Sequence, residues 1–204
     1  KMINVYKRRK FLQFGLSLGL LFRPKALLSC TLTSNQPKGP FYKKNYSKSI
    51  YDLTNNGKAL GTKIQISGRV MDKNCKPFKY SKIKIWQANT FGKYNHANDL
   101  SKNKIDKNFI GYTSIKTNAD GFYSIFTIIP GPYNVGKRMV RPPHIHFSVI
   151  TENNKLLDTQ LYFKDHALNA DDFLFKLAKN KKTLELSTKT NTNSLLKGNF
   201  NLIL

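Results

Sequence analysis

Acidic residues are scarce in this sequence: 11 Asp and Glu stand against 35 Lys and Arg in 204 residues, a formal net charge of +24. Such an excess ordinarily points to nucleic acid or an anionic membrane. Here, however, the basic residues are mostly lysines scattered with asparagine through every segment. The densest patch beyond the N-terminus is Lys179, Lys181 and Lys182. No arginine-rich helix or aromatic-plus-basic stretch accompanies it. The expectation is a solvated basic surface without a nucleic-acid partner, one that also attracts anionic aromatic acids. Cysteine is nearly absent. Cys30 and Cys75 are too few for a disulfide framework and have no Cys or His neighbours at zinc spacing, so the residues alone leave their role open. Internal repeats and an H-E-x-x-H helix are also missing, which leaves zinc hydrolase chemistry without support.

No apolar run is long enough for a confident membrane span. The run Phe14 to Phe22 follows a basic front, Lys7-Arg8-Arg9-Lys10, which is the plan of a secretory signal. The paired arginines followed by Phe11-Leu12 resemble a twin-arginine export signal. The expectation is therefore an exported protein, periplasmic or at the envelope, with residues 1–37 as targeting segment and linker. A retained membrane anchor is the alternative. Leu27-Leu28-Ser29-Cys30 is a faint lipoprotein-type box, interrupted upstream by Arg23, Pro24 and Lys25.

The 40% hydrophobic content, with 14 Phe and 10 Tyr, argues for a folded chain of one domain. From about residue 38 short alternating runs are separated by turn residues, the mark of an all-β domain. Ile64, Ile66 and Val70 fall on one face of a strand, and Ser81 to Trp86 alternates again. Further strands are expected at Phe122 to Ile129, His144 to Ile150, Lys155 to Phe163 and Phe200 to Leu204. Gln87 to Ile110 is a polar insertion far longer than a hairpin needs, and such loops are usually functional or disordered. Only Ala170 to Lys179 has a helical pattern, carried by Phe173, Leu174 and Leu177. The predicted fold is an antiparallel β-sandwich with long active-site loops and few short helices.

Chemistry concentrates in three segments. Residues i and i+2 of a strand share a face, so His144 and His146 in Arg141-Pro142-Pro143-His144-Ile145-His146 form half a metal site. Alone, an HxH pair is more often incidental than metal-binding. Asp158 or Asp165 with His166 offers an iron(II) facial triad, at spacing that does not favour it. Tyr94 in Gly92-Lys93-Tyr94-Asn95-His96 and Tyr133 in Pro130-Gly131-Pro132-Tyr133 sit in constrained loops. A phenolate is a hard anionic ligand suited to iron(III), while an ordinary half-buried turn tyrosine is the competing reading.

Together these segments resemble the intradiol ring-cleavage dioxygenases, and within them the iron-bearing β-type chain of protocatechuate 3,4-dioxygenase. Gly39-Pro40-Phe41-Tyr42, Ser67-Gly68-Arg69-Val70, Ile85-Trp86-Gln87-Ala88, Asp106-x-Asn108-Phe109 and Thr159-Gln160-Leu161-Tyr162-Phe163 join the likeness, which spans residues 38–204. The resemblance implies non-haem iron(III) held by Tyr94, Tyr133, His144 and His146, with Tyr133 and His146 axial. It implies O2 and a catechol-type, protocatechuate-like diol as substrates and a muconate-type diacid as product. Tyr133 would serve as ligand and base, Arg141 would stabilise negative charge on the ring, and Gln160 would orient substrate. Val135 would line the substrate pocket, and Tyr42 would either line it or pack in the core. The assembly it implies is a homo-oligomer, or a hetero-oligomer with an iron-free α-type chain.

The sequence departs from that pattern in one loop. Val135 stands where the β-type chain commonly has Trp, and Asn134 to Val140 carries Lys137 and Arg138 rather than aromatic residues. The departure bears on the substrate more than on the reaction. A non-catalytic envelope module that binds an aromatic or carbohydrate ligand is the competing function, and loss of any of the four ligand residues would favour it.

Overall fold

The computed structural model describes residues 29–136, 139–190 and 195–204. The twin-arginine segment, Lys137 and Arg138 lie outside the described residues. Among the described residues, twelve strands account for most of the regular structure. In chain order they are β1 (Lys63–Met71), β2 (Lys82–Trp86), β3 (Tyr112–Lys116), β4 (Phe122–Ile128), β5 (Tyr133–Val135) and β6 (Met139–Arg141). They continue with β7 (His144–Ile150), β8 (Leu156–Phe163), β9 (Glu185–Leu186), β10 (Thr188–Thr190), β11 (Leu196–Asn199) and β12 (Leu202–Ile203).

One sheet runs β10-β11-β1-β12, with β4 also paired to β1; the second runs β3-β2-β7-β8-β9; β5 and β6 form a separate hairpin. The alternation read from the sequence sets the core. Ile64, Ile66 and Val70 of β1 are fully buried and meet Ile83, Ile85, Ile145, Phe147 and Val149 from the second sheet. Every second residue of these strands is apolar, so the pleat presents one greasy face to the opposite sheet.

The sheets are mixed, which corrects the all-antiparallel expectation. Leu196 to Asn199 runs parallel to Ile64–Ser67, and Leu202–Ile203 continues parallel to Val70–Met71. β9 likewise joins β8 in parallel. Periodicity reports which residues face the core, but it says nothing of a partner's direction. The expected helix is also shorter than its pattern. A 3-10 turn at Ala167–Ala170 leads to a single helical turn, α1 (Phe173–Lys176). Phe173 and Leu177 are exposed there, whereas Phe175 is buried with Tyr162 and Leu184. Four residues are too few to nucleate a helix alone, so the tertiary contact of Phe175 overrides the local apolar spacing.

Residues 29–37 pack on the domain. Cys30 and Cys75 form a disulfide, which the sequence left undecided. Thr33 N–H donates to the Ile203 carbonyl at 3.0 Å and Gln36 N–H to the Asp158 carbonyl at 2.8 Å. No helix among the described residues is long and apolar enough to cross a membrane.

Candidate metal centre

Cross-strand register builds one wall of the site. His146 lies opposite Trp86 on one side and Gln160 on the other, and His144 lies opposite Tyr162. Residues paired across strands project to the same face. His144 and His146 therefore point away from the core occupied by Ile145 and Phe147, toward the loops. Both are buried.

Those loops bring the tyrosines. Near the start of the Gln87–Ile110 insertion is Asn89, whose side-chain oxygen accepts from the N–H groups of Phe91 and Lys93. The Asn89 carbonyl accepts from the N–H groups of both Gly92 and Gly131. The two backbones thus come close enough to exclude any side chain. A Cβ on Gly92 would lie 2.2 Å from the Pro132 oxygen, and one on Gly131 would lie 2.3 Å from the Thr90 oxygen. Gly92 also has φ +72°, which glycine alone adopts without cost. This contact explains why each tyrosine follows a glycine by two residues: it locks the Tyr94 loop against the Tyr133 loop. Asp99 finishes the first loop by accepting from the Tyr94 N–H at 2.7 Å and from Lys93 Nζ at 3.1 Å.

Four rings converge as a result. Tyr94 and Tyr133 meet edge to face at 5.5 Å, His144 and His146 at 4.9 Å, Tyr133 and His144 at 5.5 Å, and Tyr94 and His146 at 6.5 Å. The Nδ1–H of His144 donates to the Pro142 carbonyl at 2.7 Å, which fixes the tautomer and turns Nε2 toward the Tyr133 hydroxyl 3.3 Å away. Burial, reinforced by Arg141, holds His144 well below the usual imidazole range; burial, His144 and Arg141 do the same for His146. Both imidazoles are neutral, the form that binds metals. Burial pushes the Tyr94 phenol well above its ordinary value, with a further push from Tyr133. Burial also raises Tyr133, against an opposing pull from Arg141.

Tyr94 Oη and His146 Nδ1 are buried without a hydrogen-bond partner among the described residues. Leaving such atoms unmatched costs about 1–3 kcal/mol each, so the cluster has the chemistry of a site completed by an electrophile. Among the described residues no three His, Cys, Asp or Glu side chains converge, so a metal here must use the phenols. That donor set of two neutral imidazoles and two oxygens able to become anionic fits iron(III) better than zinc. The facial-triad alternative finds no support: His166 caps the 3-10 turn, and Asp158 pairs with Lys38.

A cleft of about 600 Å³ opens over Tyr133 and Arg141, walled in part by Phe41, Val135, Met139, Phe173 and Leu174. The chain shows clear relatives. A family model described as Dioxygenase matches residues 38–204. The chain belongs to the intradiol ring-cleavage dioxygenases. The protocatechuate 3,4-dioxygenase beta chain of Burkholderia cepacia is 39% identical over 133 residues, covering 62% of this chain and 57% of the relative. The catechol 1,2-dioxygenase of Acinetobacter baylyi is 28% identical over 153 residues, covering 68% of this chain and 48% of the relative. The chain thus spans about half the length of the curated relatives it matches. The dioxygenase domain of a dioxygenase carbohydrate-binding protein fusion from Streptomyces sp. SirexAA-E superposes with TM-score 0.69 at 28% identity, covering 85% of this chain and 98% of that one.

Within this family member the expected site residues fall unevenly around the cleft. Tyr94, Tyr133, His144 and His146 form the ring cluster, Arg141 and Val135 line the cleft, and Gln160 is fully buried beside Arg141. Tyr42 instead packs on Trp86 at 5.1 Å, under the ammonium groups of Lys38 and Lys84. Its neighbour Phe41 takes the cleft position and stacks on Tyr94 at 4.2 Å. Two participants went unread in the sequence. Tyr162 lies in the Thr159–Phe163 motif, two residues beyond Gln160 and on its face. Asp172 immediately precedes an apolar helical run, the usual helix-cap signal.

Proposed function

We propose that this chain is an iron(III)-dependent intradiol dioxygenase that opens a catechol-type ring with O2 to give a muconate-type diacid. The convergence of two phenols and two neutral imidazoles, with Tyr94 Oη and His146 Nδ1 buried and unmatched, carries this reading. Tyr94, Tyr133, His144 and His146 would hold the metal. When bound, iron(III) supplies the Lewis acidity that favours the catecholate dianion.

The chain's own residues divide the remaining work. Tyr133 is the half-buried member of the ring cluster and lines the cleft, so its oxygen, as the phenolate that a bound metal would favour, is the one able to take a proton from an arriving diol. Arg141 lies at the same wall, where a fixed guanidinium stabilises negative charge developing on the ring. Gln160 accepts from Arg141 Nη2 at 2.6 Å and donates to the Pro37 carbonyl at 2.9 Å, so it orients the guanidinium. Phe41 and Val135 exclude water from the ring-binding face. Protocatechuate is the first substrate to test, on the strength of the Burkholderia relative.

The Cys30–Cys75 disulfide supports export, because such bonds persist in oxidising compartments. Assembly as a homo-oligomer, or with an α-type chain, is part of the same reading.

An absorption spectrum with a metal assay tests it. Iron-loaded protein should be burgundy-red from tyrosinate-to-iron(III) charge transfer, and the band should shift on anaerobic addition of catechol or protocatechuate. Protein that stays colourless after iron reconstitution overturns the reading and favours a binding module.

A further inference from the structure

The Arg141 charge is matched within the metal centre: Nε donates to Asp172 Oδ2 at 2.6 Å, and Nη2 donates to the Tyr162 hydroxyl at 2.9 Å. At the far end of β2 the opposite holds. Lys82, Lys84 and Trp86 alternate with Ile83 and Ile85, so the lysines share the face of Trp86 while the isoleucines fill the core. On β3 the same alternation sets Ser114 and Lys116 beside them, because Ile115 is in the core. Register places Lys82 directly opposite Lys116 and Lys84 opposite Ser114.

Like charges in directly opposed positions repel each other. Lys82 and Lys116 are both exposed, and the ion pairs among the described residues, Lys38–Asp158, Lys93–Asp99 and Arg141–Asp172, include neither. Lys84 spends its ammonium group on the Lys44 carbonyl, over the Tyr42 ring. Acids at this end of the sheet are spent as well. Asp52 accepts from the Thr54 N–H and hydroxyl and from the Asn56 N–H. Asp158, which lies beyond Ser148 in register from Lys84, is paired with Lys38.

A preceding segment closes this corner into a groove. Ser114 N–H donates to the Lys48 carbonyl at 2.9 Å and Ile50 N–H to Thr113 Oγ1 at 3.0 Å, so residues 47–51 run along β3 at the sheet edge. The groove holds about 300 Å³ and is lined by Ser47, Ser49, Tyr51, Lys82, Ser114 and Lys116. It thus offers two cations and four hydroxyl side chains, and no acid. Ser114 is 6% exposed, and its hydroxyl has no hydrogen-bond partner among the described residues. A buried hydroxyl left unmatched is costly. Placed beside two cations that repel each other, it gives the chemistry of an oxyanion site. The lysines supply charge, and the hydroxyls supply directed hydrogen bonds.

We propose that this groove binds a small phosphate, free or as a monoester, at a site separate from the metal centre. Lys82 and Trp86 stand at opposite ends of β2, about 13 Å apart at about 3.3 Å per residue.

Calorimetric titration of the full chain with inorganic phosphate at fixed ionic strength tests the site. Saturable binding to one site is expected, equal with and without iron, and the visible band of the iron-loaded protein should not move. Lys82→Gln/Lys116→Gln should weaken phosphate at least about tenfold. Lys179→Gln/Lys182→Gln, in the densest lysine patch of the sequence, should change it by less than about twofold. Ser114→Ala should weaken phosphate about tenfold, yet raise the urea midpoint of the phosphate-free protein by removing an unmatched hydroxyl. Glycerol 3-phosphate, run alongside, identifies the source: tighter binding than phosphate supports a phosphorylated small molecule, and equal or weaker binding supports the free ion. Absence of saturable binding overturns the site. Equal losses in the two lysine pairs would mean diffuse surface charge and overturn it too. So would phosphate that shifts the visible band and still binds the Lys82→Gln/Lys116→Gln variant, because that ion sits on the metal. Undiminished binding by Ser114→Ala would remove the buried hydroxyl from the site and with it the reason to place phosphate there.

Discussion

Trp86 lies flat against His146, with ring centroids 4.8 Å apart and planes 6° from parallel. The two residues are register partners across β2 and β7. His146 Nδ1 has no hydrogen-bond partner among the described residues, and the flat stack on Trp86 is the contact that orients this imidazole. Trp86→Leu should therefore lower iron affinity by about tenfold, the usual scale for losing an outer partner of a metal ligand. It should also cost about 2–4 kcal/mol of stability from the lost buried ring. A chelator competition titration and urea unfolding read the two effects separately. Unchanged iron affinity would show that the stack is packing alone.

Tyr94→Phe is expected to change sign between the metal-free and iron-loaded states. The Tyr94 hydroxyl is buried and unmatched, so removing it should stabilise the metal-free protein by about 1 kcal/mol. The same change should abolish most of the visible band and weaken iron binding, because the phenolate donor is gone. Urea midpoints with and without iron test both halves. Destabilisation of the metal-free variant would mean that Tyr94 has a polar partner after all.

Acid should loosen the metal-free protein through His144 and His146. Their folded pKa values lie well below the ordinary imidazole value of 6.5 because of burial. Above about pH 6.5 both are neutral in the folded and unfolded chains and contribute no pH dependence. As pH falls below that value, the unfolded chain takes up protons that the folded chain refuses. Stability then drops by up to about 1.4 kcal/mol per pH unit for each histidine. The urea midpoint of the metal-free protein should fall between pH 6.5 and 5, and the double variant His144→Gln/His146→Gln should lose that slope. An unchanged slope in the double variant would place the sensitivity elsewhere.

The parts of this site fixed by local chemistry were legible in the sequence. The His144–His146 pair follows from strand alternation, and the glycines before Tyr94 and Tyr133 reflect a backbone approach that tolerates no Cβ. Features that depend on who packs against whom were not legible. Nothing local distinguishes Tyr42 from Phe41, yet one faces Trp86 and the other the cleft. Asp172 lies 31 residues beyond Arg141, and only the folded chain unites them. Strands β11 and β12 run parallel to β1 because of the route of the chain, which side-chain patterning does not encode.

The Cys30–Cys75 bond should stabilise the domain without being needed for the metal centre. It closes a separation of 45 residues, for which loop-closure entropy predicts about 2–4 kcal/mol. The tail it anchors leads to Pro37, whose carbonyl receives Gln160 Nε2, and to Gly39 beside His146. That tail is also held by Thr33, Gln36 and Ser34, whose carbonyl accepts from Thr159 Oγ1 at 2.8 Å. Cys75→Ser should therefore lower the urea midpoint while leaving the colour of the iron-loaded protein intact in the absence of denaturant. An iron-loaded Cys75→Ser protein without the colour would mean that the tether itself positions residues 37–39 over the histidines.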